Sequence, residues 1–129
     1  MILLDENVPE SQRLLLRSWR IRVRQIGYEV GSRGLQDEAI IPLLRELTRP
    51  TLFTRDSAFY HRRLLHARYC LAWLDVSQYE VATFIRRFLR HSAFDTEHKR
   101  MGTVVRGGHT GIRAWRQSRA EEEVLPWEN

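Results

Sequence analysis

The sequence has one cysteine, one lysine and no long apolar run. A lone Cys70 excludes an internal disulfide and any cysteine-rich zinc cluster, and it suits a reducing compartment. No stretch approaches the ~20 apolar residues that span a bilayer. The first residues carry neither the basic flank nor the cleavage site of a secretory leader. A cytoplasmic protein without membrane contact is therefore expected. With 4 prolines and 7 glycines in 129 residues, there is no repetitive or low-complexity segment. The length predicts one domain with a real hydrophobic core, over residues 1–116, and a tail at 117–129.

Arginine, by contrast, is abundant. Lys99 is the only lysine among 21 basic residues, which outnumber 16 acidic ones for a net charge of +5. Guanidinium groups suit bidentate phosphate contact, so nucleic acid is one partner class this balance points to. An arginine-favouring codon bias gives the same composition without any partner.

The chain is organised around MILLDENVP at its start. Ile2, Leu3 and Leu4 form a short apolar run suited to a strand buried on both faces of a parallel sheet. Asp5, Glu6 and Asn7 follow at the strand's carboxyl end, where open α/β sheets place their ligands. Asn7-Val8-Pro9 also reads as a cap and first turn, so Asp5 and Asn7 have a purely structural reading too.

Apolar spacing predicts a helix over Pro9 to Trp19, with Leu15, Leu16 and Trp19 inward. The alternation over Ile21 to Ile26 predicts a strand near a sheet edge, and a glycine-rich loop follows to Gly34. Ile40, Leu43, Leu44 and Leu47 mark a second helix, in which Pro42 predicts either a start later than Asp37 or a kink. TLFT at 51–54 and YCLAWL at 69–74 predict further buried strands, with a short helix over Ser57 to His66 between them. Val81, Phe84, Ile85, Phe88 and Leu89 mark another helix, with Arg86, Arg87 and Arg90 on its other face. Residues 92–100 form a polar connector. Thr103–Arg106 and Gly111–Trp115 predict a hairpin around RGGHTG. Alternating strands and helices make this an α/β domain with a mainly parallel sheet.

Three of the apolar strands run into carboxylates: Leu4 into Asp5, Thr54-Arg55 into Asp56, and Leu74 into Asp75. In a parallel sheet these ends share one edge. Carboxylates gathered there repel one another unless a cation joins them. Oxygen-only ligands favour Mg²⁺ or Mn²⁺, which accept phosphate oxygens and activate water. The bland alternative is that Asp5 and Asp56 cap helices and Asp75 starts a turn.

LLDENVP at 3–9, Asp37-Glu38-Ala39-Ile40 and LFTRDSAF at 52–59 resemble the PIN-like domains, the nuclease family of VapC-type toxins. The likeness is to the short branch that opens with a strand and Asp-Glu-Asn, and it covers about residues 2–90. The resemblance implies a three-layer PIN-like fold and a Mg²⁺- or Mn²⁺-dependent endoribonuclease with an acidic cluster. By position, Asp5 is the principal metal ligand and Asp56 the second. Asp37 or Glu38 completes the site from the intervening helix, and Asp75 is the candidate to stand in for the acid that Ala58 replaces. Asn7, Thr54, Arg55 and Ser57 flank these acids as candidates for substrate contact. The resemblance further implies an RNA substrate, a homo-oligomer and a small DNA-binding antitoxin as partner. Family members often carry an acid just before the Phe of Thr-Arg-Asp-x-x-Phe, and this chain has Ala58 there. That departure keeps open a degenerate domain that binds RNA or a protein partner without cleaving. A housekeeping nuclease without antitoxin is a third reading.

Glu6 is expected to point away from Asp5. The five histidines lack zinc-ligand spacing, no Ser-His-Asp arrangement is evident, and Cys70 reads as inert core. Gly107-Gly108 reads as a turn. Arg62, Arg63, Arg86, Arg87 and Arg90 are candidates for an RNA backbone track or a solvated helix face. Glu121 to Trp127 combines acids with an apolar cluster, which predicts that 120–129 docks on a partner or a second copy.

Overall fold

The computed structural model describes residues 1–128. A single seven-stranded sheet runs in the order β2-β1-β3-β4-β5-β6-β7. The strands are β1 (Ile2–Leu4), β2 (Arg24–Gln25), β3 (Thr51–Thr54), β4 (Cys70–Asp75), β5 (Thr103–Gly108), β6 (Gly111–Arg116) and β7 (Glu123–Leu125). Every pairing from β2 to β5 is parallel, and the last two are antiparallel. The helices are α1 (Glu10–Ser18), α2 (Asp37–Glu46), α3 (Val81–Arg90) and the short α4 (Glu97–Arg100).

Strand residues alternate between two cores, which makes the protein three-layered. Leu4, Phe53, Ala72, Leu74 and Val105 face α1 and α3, and pack with Leu16, Val81, Ile85 and Phe88. Leu3, Leu52, Leu71 and Val104 face the other way, onto Ile40 and Leu44 of α2 and onto Phe59. The near-continuous apolar runs of β1, β3 and β4 follow from burial on both faces.

Several elements depart from the expected pattern. The strand expected over 21–26 is reduced to Arg24 and Gln25 against β1, with an isolated bridge from Ile26 to Val30, although it does lie at the sheet edge. Leu15 and Trp19 are only half-buried, and Gln12 joins Leu16 as a buried residue of α1. The Gln12 side chain accepts the amide of Ala82 at 2.9 Å, satisfying an orphan donor at the start of α3. α2 begins at Asp37 with Pro42 inside it, so no later start was needed. The helix expected over 57–66 is instead two single 3-10 turns, Ser57–Phe59 and Arg62–Leu64. Each is capped by its own side chain, Asp56 on Ala58 and His61 on Arg63. The 92–100 connector closes with α4, whose buried Arg100 reaches Thr51 and the Phe94 carbonyl at 3.1 and 2.9 Å.

The segment after Arg116 is not a free tail. Its residues 123–125 add strand β7 to the hairpin. The Trp127 indole donates to the Gly108 carbonyl at 2.7 Å and packs edge-on against Phe84. Leu125 and Trp127 of the apolar cluster thus pack against the same chain, while Val124 is left exposed. Asn129, the last residue of that expectation, lies outside the described residues. Among the described residues no helix is long and apolar enough to cross a membrane.

Candidate functional site

The carboxyl edge of the parallel strands carries a cleft of about 430 Å³. Asp5, Asn7, Asp37, Arg55 and Asp56 line it, together with Glu6 and Gly34. β1 and β3 are neighbours, so Asp5 leaves the sheet beside the Thr54–Asp56 turn, and its amide donates to the Phe53 carbonyl at 3.0 Å. Asp37 arrives as the first residue of α2.

Thr54 joins the first two acids. Its buried hydroxyl donates to Asp5 Oδ2 at 2.8 Å and accepts the Asp56 amide at 3.0 Å. The other Asp5 oxygen accepts the Glu6 amide at 2.8 Å, and Asp56 Oδ1 accepts the Ala58 amide at 2.9 Å. Both carboxylates are oriented while keeping lone pairs free, since an ionised carboxylate offers about four acceptor sites. Asp56 therefore caps a turn and also faces the cleft, so the structural and functional readings of this residue coexist.

Asp37 reports the crowding of charge. Partial desolvation, then the charges of Asp56, Asp5 and Glu38, hold its carboxyl above the ordinary value of 3.8. A cation placed among these groups would remove that penalty. Among the described residues, no three His, Cys, Asp or Glu side chains converge as a ready-made metal cage. Mg²⁺ asks for less, because it keeps several waters and leans on one or two carboxylates plus substrate phosphates. The oxygen-only donors of Asp5 and Asp56 fit that requirement.

The remaining candidates separate. Arg55 lines the cleft and is tethered through Nε to the Val76 carbonyl at 2.8 Å. Asn7 lines it with an exposed side chain. Glu38 and Ser57 are exposed and outside the lining, although Glu38 bears electrostatically on Asp37. Asp75 lies outside it too, ion-paired with Arg106 at 2.8 Å.

One supporting residue escaped the sequence reading. The buried Gln25 amide lies within 3.0, 3.2 and 2.9 Å of the carbonyls of Asp5, Glu6 and Val8, clamping the loop that carries Asp5. The inward phase of Gln25 in the 21–26 alternation is the signal that marks it, since a buried amide needs partners. Glu6 does turn from Asp5, and its carboxylate takes the Gly34 amide with both oxygens at 2.6 and 2.9 Å. It does so over Gly27, where an added Cβ would sit 3.0 Å from the Glu6 carboxyl.

Larger clefts exist elsewhere. One of about 590 Å³ lies at the opposite end of β1, lined by Arg20, Arg22 and Arg24 over Ile2 and Val23, and no carboxylate of the described residues lines it. Cys70 is fully buried, and its thiol is pushed up to about 11 by burial, as an inert core cysteine should be. Comparison of the chain with protein-family models, with characterised proteins and with solved structures returned no match.

Proposed function

We propose that the protein is a Mg²⁺- or Mn²⁺-dependent endoribonuclease of the PIN-like kind, with Asp5 and Asp56 holding the ion and Asp37 beside them. The observation that carries this reading is that Asp5, Asp37 and Asp56, reaching in from the ends of β1 and β3 and the start of α2, line one cleft at the sheet edge, where desolvation and then the neighbouring acids raise the proton affinity of Asp37. A bound divalent ion supplies a water of lowered pKa and a Lewis acid for a phosphate oxygen. The chain's own residues do the rest. Thr54 fixes the Asp5 carboxylate through its proton, Gln25 fixes the Asp5 backbone, and Arg55 presents a cation beside the acids. Asn7 offers an exposed amide for the nucleotide.

The test is cleavage of a labelled RNA with Mn²⁺ or with EDTA, by the parent, Asp5→Asn, Asp56→Asn and the exposed control Glu46→Gln. Metal-dependent cleavage by the parent and the control, lost in both aspartate variants, is expected. Unimpaired cleavage by Asp5→Asn would remove the acidic edge from the chemistry.

One observation favours a second reading, a degenerate domain that binds RNA or protein without cleaving. Ala58 stands where the family pattern carries an acid, and only its backbone serves the site, through Asp56. Metal binding without cleavage would select that reading. The toxin role, with a homo-oligomer and a small DNA-binding antitoxin, rests on the resemblance alone. Co-expression with the adjacent reading frame tests it, and its failure leaves the nuclease reading standing.

A further inference from the structure

Resting on the ribonuclease reading, we infer that the α2-side face of β4 to β6 is a landing strip for single-stranded RNA leading into the acid cluster. The register aligns one cross-strand row. Thr54 pairs with Trp73, Trp73 with Arg106, and Arg106 with Arg113. Paired residues of neighbouring strands share a face, and the contacts agree. Thr54 bonds Asp5, and the Arg106 guanidinium lies 5.3 Å from the Trp73 ring centroid. At ~4.8 Å per strand, the row extends ~14 Å from Thr54 to Arg113.

The row emerges progressively from the protein. Thr54 is buried and Trp73 half-buried, whereas the side chains of Arg106 and Arg113 are 35% and 50% exposed. Val124, next in line on β7, is 68% exposed. The core packed against α2 reaches Tyr60 and Trp115 at the border of this end but does not include Trp73. Aromatic rings accompany the guanidinium groups: Tyr60 packs beside Trp73, and Arg62 lies over Trp115 one row back. Flat rings between arginines on an exposed sheet suit bases that stack and phosphates that pair, without demanding a sequence.

Two carboxylates currently occupy the arginines. Asp75 pairs with Arg106, and Glu122 pairs with Arg113 at 3.0 Å while accepting the Tyr60 hydroxyl. A phosphate would replace them, so these acids restrain RNA binding. This gives the strip a signature that a purely structural network lacks. Arg113→Gln and Glu122→Gln break the same ion pair, yet they should move RNA affinity in opposite directions.

The experiment measures fluorescence anisotropy of labelled RNAs of about 4 and about 12 nucleotides, in EDTA and over a salt series, with the full chain. Arg113→Gln should weaken binding of the longer RNA by about tenfold and lower the salt slope by about one. Arg106→Gln should do the same, and Glu122→Gln should tighten binding several-fold. The 4-mer should respond little. Thermal midpoints of all variants accompany the binding data. Unchanged affinity in both arginine variants, or weakening by Glu122→Gln equal to that of Arg113→Gln, would overturn the strip even if the parent cleaves RNA. RNA bound through the strip but not cleaved in Mn²⁺ would overturn the nuclease reading alone. A parent that binds no RNA would overturn both.

Discussion

Thr54 gives its only hydroxyl proton to Asp5 Oδ2 across 2.8 Å, and the Thr54 hydroxyl oxygen in turn accepts the Asp56 amide. One buried side chain thus sets the position of the two carboxylates proposed to hold the ion. Thr54→Val keeps the shape, removes both bonds and leaves the Asp56 amide unpaired. The expected cost is about 1–3 kcal/mol of stability, with a fall in kcat larger than any change in KM. Thr54→Ser restores the hydroxyl and should restore most of the rate. Chemical denaturation and steady-state kinetics on a labelled RNA check both.

Gln25 predicts a second effect at a distance from the chemistry. Gln25→Leu leaves the carbonyls of Asp5, Glu6 and Val8 without their common donor. A loss of about 2–3 kcal/mol is expected, together with weaker Mn²⁺ stabilisation because the Asp5 loop loosens. Differential scanning calorimetry with and without Mn²⁺ reads both. Parent-like metal stabilisation would show that the clamp does not position Asp5.

Asp37 predicts a pH dependence whose sign follows from linkage. Its carboxyl is held above the ordinary 3.8 in the folded state. The folded chain therefore binds this proton more tightly than the unfolded chain, so the contribution is full below the ordinary value and fades as pH rises through the raised one. Asp37→Asn carries no such loss. The variant's thermal midpoint without metal should gain on the parent's as pH climbs from below 3.8 towards neutrality. Added Mn²⁺ at neutral pH should narrow the gap. A difference in midpoint that is independent of pH would contradict the crowding of Asp37 by its neighbours.

Trp127 predicts that the end of the chain is structural. Its indole closes on Gly108 and Phe84, and the Arg87 guanidinium lies 4.7 Å from its ring centroid. Trp127→Ala should cost about 2–4 kcal/mol, lowering the midpoint by roughly 10 °C. Removal of residues 120–129, which also deletes β7, should lower it further. A truncated chain with the parent's midpoint would contradict this packing.

Much of the fold was legible because burial writes plainly into composition. Leu3-Leu4, TLFT and YCLAWL read as strands sealed on both faces, and RGGHTG marked the hairpin, although the turn expected at Gly107-Gly108 falls on His109-Thr110 and both glycines end β5. What escaped was whatever depends on a few local bonds. Asp56 and His61 each close a single 3-10 turn, which looks like one helix in a periodicity plot. β7 is three residues long and gains its place only by pairing with β6. At the site, Asp5 and Asp56 were readable because strand ends mark them, and Asp37 through the PIN-like resemblance. The diversion of Asp75 to Arg106 was not, because it depends on a partner thirty-one residues along the chain. Arg86 was expected on a free helix face. Its guanidinium is instead 3.7 Å from the Trp19 ring centroid, on the layer of α1 and α3.

The place of β1 between β2 and β3 in the parallel half has a kinetic consequence. Asp5 and Thr54 meet across 49 residues of chain, and β1 has no partner nearer in sequence than β2. Closing that loop has to precede any reward from the pairing. On a ribosome the first strand therefore emerges long before its central neighbour exists. The acidic edge is a late product of synthesis, and a nascent chain stalled before residue 54 has no assembled site with which to act.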